Sequence, residues 1–162
     1  MNKVLYIILI SLFSLTVFSC GEKEESSSSS TTTTTSGLYV AVGSGGTILT
    51  SSNRTTWTSR TSGTSNSLNG VTYGNSKFIA IGSSGTTLTS SDWTTWDNVT
   101  TTFDNGTTAY YTTNHLYDIT YGNSTFVATG NSGTILTSSD GSTWTSRTSG
   151  TSNTLNGITY IE

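Results

Sequence analysis

From Tyr39 onward, short apolar clusters alternate with stretches rich in Ser, Thr, Gly and Asn, and no apolar run there is long enough for a buried helix. Three clusters, "YVAVG" from Tyr39, "KFIAIG" from Lys77 and "TFVATG" from Thr125, place apolar side chains on successive residues. A short run of this kind predicts a strand covered on both faces. Others, such as "TILTS" and "LNGVTYG", mix β-branched residues with polar ones. Thr, Tyr, Trp, Val and Ile favour pleated, half-buried surfaces, whereas Gly and Asn mark turns. The pattern predicts an all-β domain.

These clusters recur in order. "YVAVGSGGTILTSSNRTTW" ends at Trp57, "FIAIGSSGTTLTSSDWTTW" at Trp96 and "FVATGNSGTILTSSDGSTW" at Trp144, so the steps are 39 and 48 residues. A second phrase follows each: "LNGVTYG" from Leu68, "LYDITYG" from Leu116 and "LNGITY" from Leu155. Residues 44–73 and 131–160 match at 23 of 30 positions, which points to duplication. The extra residues of the longer step lie between Trp96 and Leu116. Four strand candidates per period of roughly 40 residues is the signature of β-propeller blades. The expected fold is therefore all-β, with three four-stranded antiparallel blades in an incomplete or oligomerising propeller. Propellers usually have about 4–8 blades. Three would leave apolar faces open, and such faces tend to find partners. Two chains forming a six-bladed homodimer is one expectation. A distorted monomer or trimer, or a truncated longer repeat protein, are others. The offset between a first unit starting at a second strand and a last phrase that reads as a first strand suggests closure by pairing the two within one blade.

The turn "SSDGSTW" resembles the Asp-box, or bacterial neuraminidase repeat, in a variant shortened by one residue. The repeats are also similar to those of the photosystem II assembly factor family. The resemblance implies a structural hairpin on the rim of each blade, built from Asn53 and Trp57, Asp92 and Trp96, and Asp140, Gly141 and Trp144. Asp140 can accept hydrogen bonds from its own turn, and Gly141 permits a positive φ. Arg54 and Trp93 stand where the third copy has Gly141, so those two turns are expected to differ slightly from it.

Upstream, "MNKVLYIILISLFSLTVFSC" holds an apolar run from Val4 to Phe18. This is shorter than the roughly 20 residues a membrane-spanning helix needs, and suits a signal-peptide core. "VFSC" resembles a bacterial lipoprotein processing site, which implies a signal peptide over 1–19 and acylation of Cys20, the single cysteine. Residues 20–36 are an acidic start followed by a Ser/Thr tract, with no apolar side chains to offset ordering, and read as a spacer. The domain then spans 37–162. A lipid-anchored location at the outer membrane or cell surface is expected, with the membrane as one partner.

The net charge is −3, with no basic run, which argues against a nucleic-acid partner. One His and one Cys leave little basis for a metal site, and no cofactor is implied. Arg60 and Arg147 occupy the same repeat phrase, "TSRTSG", and read as framework. Asp97, Asp104, Asp118 and Glu162 stand outside the repeat, but no spacing ties two of them into a glycosidase pair. The domain is therefore expected not to be an enzyme. The insertion over 97–115 carries the remaining candidates for ligand contact: Phe103, Asp104, Tyr110, Tyr111 and His115. Clustered aromatics in a loop can stack on sugars or anchor a protein, or they can simply cover a blade edge. The expected role is binding of a carbohydrate or an envelope protein. An assembly or scaffold factor is the alternative, with a sialidase-like glycosidase fragment behind it.

Overall fold

A computed structural model of the chain describes residues 37–99, 102–104, 109–110 and 112–162. The expected signal peptide, Cys20 and the Ser/Thr tract lie outside the described residues.

The first blade contains β1 (Tyr39–Gly43), β2 (Thr47–Ser51) and β3 (Thr58–Arg60), hydrogen-bonded in that order. The second contains β4 (Leu68–Gly74), β5 (Lys77–Gly82), β6 (Thr87–Ser90) and β7 (Asp97–Asn98). From the insertion come β8 (Thr102–Asp104) and β9 (Ala109–Tyr110), paired antiparallel. The third blade contains β10 (Leu116–Gly122), β11 (Thr125–Gly130), β12 (Ile135–Ser138) and β13 (Thr143–Arg147). β8 joins β13 in parallel, so this sheet has six strands. All pairings within a blade are antiparallel.

Local chemistry accounts for the hairpins. Asn75–Ser76 and Asn123–Ser124 each adopt two consecutive positive φ angles, 45° and 59° in one and 45° and 58° in the other. That conformation gives a tight hairpin whose twist matches the strands it joins. A single 3-10 turn links β1 to β2, β5 to β6 and β11 to β12, at Ser44–Gly46, Ser83–Gly85 and Asn131–Gly133.

Successive side chains of a strand point to opposite faces, and in the second blade each face meets a different neighbour. Val40, Val42 and Ile48 of the first blade pack with Leu68, Phe78, Ala80, Leu88 and Trp96 of the second. Ile79 and Ile81, on the other face of β5, pack with Leu116, Ile119, Phe126, Ala128, Leu136 and Trp144 of the third. The two-sided burial expected of "FIAI" is thus observed, with Ile79, Ala80 and Ile81 all fully buried. The inner strands also touch directly. The ring of Tyr121 lies against Gly74, where any Cβ would collide with it, and Tyr160 lies against Gly122 in the same way.

Two features depart from the sequence reading. The first blade has three strands, not four, because no inner strand pairs with β1 among the described residues. Residues 155–160, expected to fill that place within the same blade, instead lie beside β10 without forming a ladder. Leu155 N–H donates to the Gly130 carbonyl at 3.0 Å, and Ile158 N–H donates to Asp118 Oδ2 at 2.8 Å. Asp118 replaces the glycine found at this point in the other two copies, so one side chain tethers the segment. The result is an open, incomplete propeller of three blades.

Candidate binding groove

Every repeat makes the same turn, after β2, β6 and β12. Asp140 Oδ1 accepts from the backbone N–H groups of Ser142 and Thr143, both at 2.8 Å. Asp92 accepts likewise from Thr94 and Thr95, at 2.9 and 2.8 Å. In the first copy Asn53 Oδ1 does the same for Thr55 and Thr56, at 3.0 and 2.9 Å. The serine that ends β2, β6 or β12, namely Ser51, Ser90 or Ser138, donates to the same oxygen. These bonds favour the charged carboxylate. The Asp92 carboxyl is held well below its ordinary range by the N–H of Thr95 and then of Thr94. Asp140 is lowered by Thr143 and then Ser142.

The expectation that the three turns differ is not met. Arg54, Trp93 and Gly141 all take left-handed conformations, with φ of 68°, 57° and 74°. The side-chain bonds fix the turn tightly enough to hold two bulky residues in a region that glycine prefers. What differs is the space around them. Gly141 is buried against the second blade, where a Cβ would collide with Ile79 Cδ1. The position corresponding to Ile79 in the first blade is Val40, which lacks that methyl group, and the turn position corresponding to Gly141 in the second blade is Trp93.

The repeat tryptophans also diverge. Trp144 is buried, and its Nε1 donates to the Gly141 carbonyl at 3.3 Å. Trp96 is buried with its Nε1 unpaired. Trp57, expected to be an equivalent lid, is 41 % exposed because no described blade precedes it.

Trp93 borders a groove of about 580 Å³ between the first two blades, together with Leu38, Thr50, Asn53, Thr56, Thr58 and Arg60. An apolar extension of about 290 Å³ is lined by Leu38, Tyr73, Phe78 and Trp93. Arg60 Nε donates to Thr50 Oγ1 at 2.9 Å, and Arg147 makes the same bond to Thr137 in the third blade. These arginines thus brace the strands, and in the first blade the bracing also sets a guanidinium into the groove wall. The groove offers an exposed indole face, several hydroxyls, a carboxamide and a cation. Among the described residues lining it, none is a carboxylate or a histidine.

Among the described residues, none from the insertion lines this groove. His115 is exposed, and its Nδ1 accepts from the Ser84 N–H at 3.3 Å, which pins the end of the insertion to the second blade. Phe103 and Tyr110 are register partners in the β8–β9 pair, and Asp104 pairs with Ala109. The side chains of Phe103, Asp104 and Tyr110, and the whole of Tyr111, lie outside the described residues. Among the described residues, no three His, Cys, Asp or Glu side chains come together. Trp93 is the residue that sequence reasoning undervalued. The available signal was a bulky aromatic at a turn position suited to glycine.

No family model matches the chain, and no curated protein matches it. Among solved structures, the fold is similar to that of YCF48 bound to D1 peptide, with a TM-score of 0.52 at 19 % identity. The match covers 66 % of this chain and 34 % of that one, so this chain spans about a third of its neighbour's length. The likeness supports a β-propeller-like repeat fold.

Proposed function

We propose that this chain is a non-catalytic binding module, held at a bacterial envelope by a lipid on Cys20, which takes carbohydrate into the groove beside Trp93. The observation that carries this reading is the placement of Trp93. A left-handed non-glycine residue costs roughly 1–2 kcal/mol, and a strained residue at an open groove is a reason to suspect function. The indole is 44 % exposed and borders a row of hydroxyls. A sugar ring presents a C–H face to stack on an aromatic and hydroxyls to pair with Thr, Asn and Arg.

A glycan array probed with the chain and with Trp93→Gly tests the reading. Glycine relieves the turn, so the variant should be about 1 kcal/mol more stable while losing glycan binding. Glycan binding unaffected by the substitution would sink the groove. A second reading, as an assembly factor that holds a polypeptide, is favoured by the peptide-bound state of the YCF48 structure and by the apolar extension at Leu38 and Tyr73. Peptide binding that depends on Trp93, without glycan binding, would select it. For the anchor, Cys20→Ser should abolish incorporation of labelled fatty acid, and unchanged labelling would remove lipidation from the reading.

A further inference from the structure

The two ends of the arc present faces that match each other. At each internal interface, one blade's trailing face meets the leading face of the next. In the repeat alignment, Tyr39, Ala41, Leu49 and Trp57 of the first blade correspond to Phe78, Ala80, Leu88 and Trp96 of the second. The latter four pack in an interface, whereas Tyr39 and Trp57 are 44 % and 41 % exposed. At the other end, the half-buried Val127 and Ile135 correspond to Val40 and Ile48, which cover just such a leading face, while Thr129, at the Val42 position, is already buried.

The backbones match as well. β1 has β2 on one side and no described strand on the other. An unpaired strand edge is a ready template for another strand. Residues 155–160 nearly repeat the sequence of β4, yet form no ladder. In the second blade, the inner strand pairs Leu68 with Gly82, Val71 with Ala80, Thr72 with Ile79 and Tyr73 with Phe78. The third blade uses the same register after the same bulge. Carried to the open edge, this register sets Leu155 opposite Gly43, Ile158 opposite Ala41, Thr159 opposite Val40 and Tyr160 opposite Tyr39.

We propose that residues 155–160 of one copy add to β1 of a second copy as its inner strand, and that reciprocal exchange closes two copies into a six-bladed ring. Within one chain the two edges do not pair, and closing on itself would give a three-bladed ring, below the usual range of about 4–8. A head-to-tail contact that closes makes a ring, and two copies fall within that range. The exchange also completes a second groove. Thr137, Thr143, Thr145 and Arg147 repeat the lining found beside Trp93, and Arg54 of the second copy would take the place of the indole. The inference does not depend on what either groove binds.

Cysteine cross-linking of the detergent-solubilised full chain, in a Cys20→Ser background, tests it. Tyr39→Cys protein is mixed with Tyr160→Cys protein and oxidised, and Val40→Cys is mixed with Thr159→Cys in parallel. Tyr39 and Tyr160 are both largely exposed, and the Val40→Cys/Thr159→Cys mixture tests the same register with the Tyr160 ring kept against Gly122. Paired Cα atoms on antiparallel strands lie about 4.5–5.5 Å apart, within disulfide range. We expect a cross-linked two-chain product in the mixtures, none from either variant alone, and little from Val42→Cys mixed with Thr159→Cys. A one-chain mass for the protein, or a disulfide confined to one chain in the Tyr39→Cys/Tyr160→Cys double variant, would overturn the exchange. A two-chain mass with neither mixture cross-linked would overturn it too.

Discussion

Gly141 is where backbone and packing demands meet in a single residue, so Gly141→Ala tests both. The backbone there has φ of 74°, and an added Cβ collides with Ile79 Cδ1. Left-handed alanine costs roughly 1–2 kcal/mol. Ile79 is fully buried, and forcing an extra methyl into a packed core adds about 1–3 kcal/mol. The expected total is about 2–5 kcal/mol. Ile79→Val, which alone should cost about 0.5–1.5 kcal/mol, removes the atom the new methyl would strike. In that background Gly141→Ala should retain its backbone cost and only a milder crowding against the remaining γ-carbon at 3.2 Å. Urea unfolding of the two single variants, the double variant and the parent gives the coupling by linear extrapolation. A favourable coupling of about 1 kcal/mol or more is expected. Additivity within about 0.3 kcal/mol would refute the steric account and leave the turn's φ as the whole explanation.

Three further outcomes follow from the turns and their neighbours. Because Asp92 and Asp140 have lowered carboxyl pKa values when folded, their contribution is fully present above the unfolded value near 4 and is lost as pH falls below it. Acid titration of stability should therefore flatten in Asp140→Asn, whose turn remains bonded as Asn53 shows, and an unchanged acid slope would argue against this assignment. Trp144→Phe should cost about 1 kcal/mol more than Trp96→Phe, since only Trp144 loses a hydrogen bond; equal costs in chemical denaturation would contradict this. Asp118→Ala should speed hydrogen exchange at the Ile158 amide, consistent with loss of a bond to a charged acceptor worth about 1.5–3 kcal/mol, and unaltered exchange would mean that Leu155 and Tyr160 hold the segment without it.

The strands, their period and the chemistry of the turns could all be read from residues close together in the chain. "SSDGSTW" specifies its own hydrogen bonds, because donor and acceptor lie within three residues of each other. Runs such as "FIAI" announce two-sided burial without saying what lies on either side. Near-identical phrases acquired different environments in the tertiary structure. Trp57 and Trp144 share a motif, yet one is exposed and the other buried, because a blade's leading face is covered only if another blade precedes it. Trp93 read as an imperfect turn residue until the first blade supplied the wall opposite it. Asp118 read as an isolated acid, and only the packing of β10 beside residues 155–160 gave it a partner forty residues away. Local sequence determined what each blade is made of. The order in which blades stack decided which surfaces stayed open, since burial depends on neighbours that are distant in the chain.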